Sequence, residues 1–199
     1  MQVIWRPFKF MRCGERRNTI NENSRMSKII IEIRNASPED SAAIHAVHMA
    51  AFGGPAEGKL VELITERRKG LISLAATRDG TVVAHVLFSR VTVANSPAAF
   101  SGVGLAPVAV LPDFQRQGIG SKLIRDGLER CRQAGYDAVV VLGDPAYYSR
   151  FGFMRAADFG LQNEYGVVDE FMVLPLHDRA LEGVAGTVKY LPEFREAEC

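Results

Sequence analysis

The sequence lacks the features that mark several large classes of protein. Only three of its 199 residues are cysteines, and Cys13, Cys131 and Cys199 are too few and too far apart for a disulfide framework or a CxxC zinc site. No apolar run approaches the ~18 residues of a transmembrane helix. The 24 Lys and Arg against 23 Asp and Glu leave a net charge of +1, which gives no argument for nucleic acid or membrane as a partner. We therefore expect a cytoplasmic protein that needs neither of these partners and no metal.

The first 26 residues differ from the rest of the chain. They carry six Lys or Arg against two Glu and no hydrophobic periodicity. They lack the apolar centre of a secretory signal, and Glu15 and Glu22 argue against a mitochondrial presequence. Because Met26 stands directly before a strand-like run, we expect residues 1–26 to be a disordered or mis-started extension. Residues 27–199 are then expected to form a single domain.

The hydrophobic periods predict a mixed α/β domain with the order β-α-α-β-β-β-α-β-α-β-β. Helices are predicted from residue 37 and at 56–69, 119–134 and 145–150. Strands are predicted at 29–33, 71–76, 81–91, 103–111, 138–142, from 151, and at 170–174.

The strongest chemical signal is the segment from Val108 to Gly120, V-A-V-L-P-D-F-Q-R-Q-G-I-G. A buried strand leads through a loop into a helix whose first turn has unpaired amides and partial positive charge, a natural phosphate site. Gly118 and Gly120 let a ligand approach the backbone. The P-loop pattern fails after Gly120, and the dinucleotide pattern fails at Leu123, which stands where a third glycine is required.

What remains is [QR]-x-x-G-x-[GA], which resembles the acetyl-CoA pyrophosphate loop of the GNAT (Gcn5-related N-acetyltransferase) superfamily. The stretches G-L-A-P-V-A-V-L-P, Q-R-Q-G-I-G, V-V-V-L-G-D-P-A-Y-Y and R-F-G-F look like the YhbS-like subgroup of predicted bacterial N-acetyltransferases. The resemblance spans about residues 29–174. It implies a sheet that splays open between the fourth and fifth strands, with a bulge in the fourth beside Pro107. A proline on an edge strand is the alternative interpretation.

The resemblance implies acetyl-CoA as co-substrate, bound by two neighbouring segments. The pantetheine arm would pair with the backbone of the fourth strand, at Val108, Ala109 and Val110. The pyrophosphate would lie on the loop and helix start, formed by Gln115, Arg116, Gln117, Gly118, Ile119, Gly120 and Ser121. No metal and no acyl-enzyme intermediate are expected.

The resemblance also implies Tyr148 as the catalytic residue, because it stands four residues before the pair Gly152-Phe153. Its phenol is protonated at pH 7 and can donate a proton to the leaving thiolate. The alternative is that Tyr148 only packs or hydrogen-bonds CoA. Tyr147 should point elsewhere on the helix.

The general base is left open. Deprotonating a lysine-like amine at pH 7 costs ~4.6 kcal/mol, so a base or a water chain is expected. Glu57 and His85 are the candidates, although a first-turn acid that stabilises a helix and a packed strand histidine would look the same.

The predicted function is the transfer of an acetyl group from acetyl-CoA to the primary amine of a small molecule or peptide, by direct attack. A non-catalytic acyl-CoA-binding or regulatory module is the alternative. A homodimer is a further expectation from the resemblance.

Overall fold

The computed structural model is a mixed α/β domain, and it describes residues 30–67, 71–94 and 100–199. The predicted extension at 1–26 lies outside the described residues. The strands are β1 (Glu32–Asn35), β2 (Ile72–Arg78), β3 (Thr81–Val93), β4 (Gly102–Val110), β5 (Ala138–Leu142), β6 (Met154–Arg155), β7 (Leu161–Asn163), β8 (Phe171–Pro175) and β9 (Gly186–Lys189). The helices are α1 (Ser41–Phe52), α2 (Ala56–Arg67), α3 (Ile119–Gln133), α4 (Pro145–Tyr148) and α5 (Glu193–Glu196).

The strands form one sheet in the order β1-β2-β3-β4-β5-β8-β6, and β9 joins the far end of β3 while pairing with β7. Neighbours along the main path are antiparallel except β4 and β5, which run parallel. The connection between those two strands is α3, as expected for a parallel pair. The predicted mixed sheet is therefore confirmed, and the parallel direction of β4 and β5 is a feature that the sequence did not indicate.

The sheet separates two hydrophobic cores. Helices α1 and α2 pack on one face, with Val47, Leu60 and Ile64 among the buried side chains. Helix α3 packs on the other face through residues such as Leu123 and Ile124. Among the described residues, no helix is both long enough and apolar enough to cross a bilayer.

Two predicted strand boundaries need correction, and one segment contains elements that were not predicted. The first strand, predicted at 29–33, runs from Glu32 to Asn35, because its register is set by pairing with β2, where Glu32 faces Thr77. Residue 29 lies outside the described residues. The strand predicted from residue 151 begins at Met154, after a turn at Ser149–Phe151. The C-terminal segment contains β7, β9 and α5, which the sequence patterns did not predict. These elements are only three or four residues long, too short to show a period.

Candidate active site

The site is built around a gap between β4 and β5. Their ladder holds only from Gly102 to Gly104, opposite Ala138 to Val140, although β4 continues to Val110. On the other side of β4, one residue of β3 lies between Val86 and Phe88, whereas two residues of β4 lie opposite it. The extra residue is a bulge at Ala106 and Pro107, where proline offers no N–H to a ladder. The predicted splay and bulge are both present, and Pro107 lies in a central strand rather than at an edge.

The backbone of β4 directs polar groups into this gap. Leu111 N donates to Val83 O at 2.9 Å, and paired positions alternate along an antiparallel ladder. Ala109 therefore faces β3, while the N–H and C=O groups of Val108 and Val110 point away from it. The Gln115 side chain confirms this direction, because its Nε2 donates to Val110 O at 3.0 Å. The edge of β4 thus offers hydrogen-bonding groups to an extended ligand.

The loop after β4 is held in shape by its own side chains. Besides the bond from Gln115, Gln117 Nε2 donates to Asp113 O at 2.9 Å. Gly118, which precedes α3, has φ +82° and needs the freedom of glycine. Arg116 is also left-handed at φ +61°, a strained conformation that is concentrated at ligand-binding loops. The two predicted glutamines therefore fix the loop, and its backbone is preorganised.

The first turn of α3 presents free amides at the mouth of the gap. Lys122 N donates to Gly118 O at 3.0 Å, so the N–H groups of Ile119, Gly120 and Ser121 have no partner within the helix. The Ile119 side chain is buried in the α3 core, which leaves only its backbone for a ligand. A Cβ built on Gly120 would point between Val110 Cγ2, at 3.4 Å, and Tyr147 Oη, at 3.6 Å.

Tyr148 lies at the carboxyl end of β5, on the side of the gap opposite β4. Its ring lies so close to Gly143 that a Cβ there would stand 2.1 Å from Tyr148 Cε2. It meets the Phe153 ring edge-on, with the ring centroids 5.7 Å apart. Burial raises the pKa of the Tyr148 phenol well above its ordinary value, and the neighbouring Tyr147 adds to the shift. The phenol is therefore a neutral hydrogen-bond donor across the physiological pH range.

Tyr147 points away from Tyr148, as the sequence predicted, and toward the first turn of α3. The two rings are nearly perpendicular. The Tyr147 hydroxyl lies beside Gly120, and Arg150 stacks on the Tyr147 ring with its guanidinium carbon 3.9 Å from the centroid. Tyr147 thus lies against the first turn of α3, a position that the sequence did not indicate.

A group of hydroxyls that no sequence pattern indicated lies on the other face of the gap. The Tyr190 ring fills the space above Gly104, where a Cβ would stand 2.7 Å from Tyr190 Cε1. Tyr165 packs against Tyr190 with the ring centroids 5.8 Å apart. Ser89 lies opposite Gly104 in the β3–β4 register. The hydroxyls of Ser89, Tyr165 and Tyr190 are buried and have no hydrogen-bond partner among the described residues.

Unpartnered buried hydroxyls are unusual, because their desolvation is costly unless water or a ligand satisfies them. Burial raises the pKa of Tyr190 well above its ordinary value, with smaller contributions from Tyr165, Glu164 and Tyr148. The available sequence signal was the pair Gly102 and Gly104, since glycines in a strand often mark a close approach.

His85 is a structural residue in this fold. Its Nδ1 lies 2.9 Å from His48 Nε2, and its Nε2 lies 2.9 Å from Ser73 Oγ. With both ring nitrogens engaged, it has no free position for an acceptor amine. Burial, and then His48, hold the pKa of His85 well below its ordinary value. Burial, and then His45, lower the pKa of His48 to about 3.

Glu57 occupies the first turn of α2, as predicted, and is half-buried. The Cys199 thiol is near it, since burial and then the Glu57 charge raise the pKa of that thiol to about 12. Cys131 is buried within the α3 core, and burial raises its pKa to about 12 as well. The described residues contain no group of three or more His, Cys, Asp or Glu arranged to hold a metal ion.

The fold and the gap define an acetyltransferase of the GNAT family. A family model described as an acetyltransferase (GNAT) domain matches residues 32–156, and the chain belongs to this family. The uncharacterized N-acetyltransferase YhbS of Escherichia coli (strain K12) is 41% identical over 164 residues, which cover 81% of this chain and 97% of YhbS. The predicted resemblance to the YhbS-like subgroup is therefore confirmed.

Two solved structures carry the same fold. The crystal structure of YhbS from Escherichia coli in complex with CoA matches with a TM-score of 0.80 and 38% identity, covering 87% of this chain and 96% of that one. A GNAT family acetyltransferase from Brucella melitensis in complex with acetyl-CoA matches with a TM-score of 0.69 and 35% identity, covering 83% and 98% respectively.

Proposed function

We propose that the protein transfers an acetyl group from acetyl-CoA to a primary amine of a small molecule or peptide, by direct attack. The observation that carries this proposal is the gap between β4 and β5, which begins after Gly104 and leads from the free amides of α3 to Tyr148. The CoA and acetyl-CoA complexes of the two structural relatives support the choice of co-substrate.

Each segment of the gap has a proposed role. The amides of Ile119, Gly120 and Ser121 bind the pyrophosphate, where the helix dipole favours negative charge. The outward-facing groups of Val108 and Val110 bind the pantetheine amides, as an added strand would. An amide of β4 next to the bulge polarises the thioester carbonyl and stabilises the oxyanion that forms on attack.

Tyr148 stabilises the leaving thiolate. The raised pKa of its phenol makes complete proton transfer to a thiolate with a reference pKa near 8.5 unfavourable. We therefore propose that it acts mainly by donating a hydrogen bond that strengthens as the thiolate forms. The proton for the thiol can come from the amine itself, which must lose one after attack.

The acceptor amine is proposed to enter from the side of Ser89, Tyr165 and Tyr190. Hydroxyls without a partner can orient the amine or a chain of waters that carries its proton away. Glu57 remains a candidate base on this side. The free thiols of Cys131 and Cys199 are consistent with the cytoplasm as the compartment.

The experiment combines binding with turnover. Calorimetry with CoA, with ATP as competitor, tests the cofactor, and release of free CoA thiol in the presence of a panel of primary amines tests the reaction. We expect CoA to bind, ATP to compete poorly and at least one amine to accelerate thiol release. Tight CoA binding with no acceleration by any amine would favour a non-catalytic acyl-CoA-binding module instead.

A further inference from the structure

A shallow pocket of about 320 Å³ lies on the outer face of α3, between that helix and the segment that follows α4. Its lining consists of three arginines, one acid and two apolar residues, namely Arg125, Leu128, Glu129, Arg132, Arg150 and Phe151. None of these residues belongs to the strand and loop segments that the sequence predicted for the cofactor.

Arg150 links this pocket to the first turn of α3. Its Nη2 lies 3.4 Å from Ser121 Oγ, in the turn whose amides are free. Its guanidinium stacks on Tyr147, and its carbon lies 5.3 Å from the Phe151 ring centroid. Arg125 approaches the same Phe151 ring at 5.3 Å. The aromatic rings therefore hold two guanidinium groups on one side of the helix start.

The three arginines differ in their charge partners. Arg132 lies 3.6 Å from a carboxylate oxygen of Glu129, so these two charges offset each other at the far end of the pocket. Within the described ranges, neither Arg125 nor Arg150 has a carboxylate oxygen within 4.0 Å, whereas seven other arginines there do have one. The end of the pocket nearest α3's first turn therefore carries uncompensated positive charge.

A phosphate monoester is the group that fits this end. A guanidinium presents paired N–H donors that match phosphate oxygens, and stacking on an aromatic ring leaves its edge free to donate. CoA carries such a group on the 3′ position of its ribose, one sugar away from the pyrophosphate. A pyrophosphate on the amides of α3 would bring this second phosphate within reach of a side chain that already touches Ser121.

We propose that Arg150, assisted by Arg125, binds the ribose 3′-phosphate of CoA, so that the protein discriminates CoA from dephospho-CoA. The inference rests on the proposed use of acetyl-CoA and adds a specificity determinant to it. Since both arginines are exposed, salt screens the interaction, and the discrimination should be greatest at low ionic strength.

The test compares CoA with dephospho-CoA, which lacks only the 3′-phosphate, by calorimetry at low and at physiological salt. We expect the wild type to bind CoA about tenfold more tightly at low salt, a ratio typical of one charge-assisted contact. Arg150→Ala should bring the two affinities within about twofold by weakening CoA alone. Arg132→Ala is the matched control, because it removes an arginine of the same pocket and should leave the ratio unchanged.

Each remaining outcome is decisive. If the wild type binds both ligands equally, the 3′-phosphate assignment is wrong while the proposed use of acetyl-CoA stands. If Arg150→Ala weakens both ligands by the same factor, Arg150 contacts the pyrophosphate and the assignment is again wrong. If the wild type binds neither ligand, the proposed function fails, and this inference fails with it. A melting temperature measured for each variant separates lost affinity from lost folding.

Discussion

Adding one methyl group at Gly120 should preserve or raise the stability of the fold and lower its affinity for CoA. A Cβ at this position would meet its nearest atoms at 3.4 and 3.6 Å, which are ordinary contacts, and its φ is not left-handed. Replacing a helical glycine by alanine stabilises a helix by roughly 0.5–1 kcal/mol. Gly120→Ala should therefore fold at least as well as the wild type.

The same methyl group should obstruct the cofactor. It would project into the space between Val110 and Tyr147, at the turn whose amides are proposed to hold the pyrophosphate. A hydrogen bond to a charged group contributes about 1.5–3 kcal/mol. Loss of one such bond would raise the Kd for CoA about 10- to 150-fold, and the branched Gly120→Val should raise it further.

Calorimetry with CoA and with pantetheine, which has no phosphate, checks this prediction alongside a thermal melt. Gly54→Ala is the control, because a Cβ at Gly54 would have no atom within 4 Å and the backbone there is unstrained. We expect Gly120→Ala to lose affinity for CoA but not for pantetheine. Equal weakening of both ligands, or unchanged affinity for CoA, would refute the pyrophosphate assignment.

Three further predictions concern the hydroxyls and the buried histidines. Tyr148→Phe should lower kcat about 10²-fold. It should lower the affinity for CoA by about tenfold at most, the effect of losing one hydrogen bond. A single-turnover rate within about twofold of wild type would show that Tyr148 takes no part in the chemistry. Tyr190→Phe should leave the melting temperature unchanged or higher, because it removes a buried hydroxyl without a partner, and it should raise the KM of the acceptor; a clear loss of stability would show that the hydroxyl is bonded within the fold. The pKa values of His48 and His85 are lower in the folded protein than the value of about 6.5 expected in the unfolded chain. The stability that these neutral histidines contribute is therefore present above pH 6.5 and is lost as the pH falls toward 3. Denaturant titrations between pH 6.5 and 5 should show a loss of between about 1 and 2 kcal/mol from His48 and a further loss from His85. His48→Gln should reduce the total loss, and a flat profile would contradict the assignment.

The sequence was most informative where the deciding residues are neighbours in the chain. β5 lies where its apolar run predicted it, and α3 ends one residue before the predicted end, at Gln133. The strand-loop-helix conformation around Gln115, Gly118 and Gly120 could be predicted because a strand and a helix flank these residues directly. Their local chemistry is sufficient for that prediction.

The proposed acceptor side could not be predicted in the same way. The ring of Tyr190 meets Gly104 only because β9 returns to pair with Thr92 and Val93 at the end of β3. That pairing depends on the whole C-terminal segment, whose short strands show no period. The pairing of His85 with His48 likewise joins a strand and a helix that no sequence pattern connects.

The side chains around the gap come from two successive stretches of the chain, because β9 returns to pair with the end of β3. The family model ends at residue 156 and contains every segment proposed to hold CoA, whereas Tyr165 and Tyr190 follow it. Arg67 of α2 contacts the later stretch through a bidentate ion pair with Glu196. Grafting residues 157–199 from a relative would therefore exchange Tyr165 and Tyr190 on the proposed acceptor side, while Ser89, Glu57 and every segment proposed to hold CoA keep their own sequence.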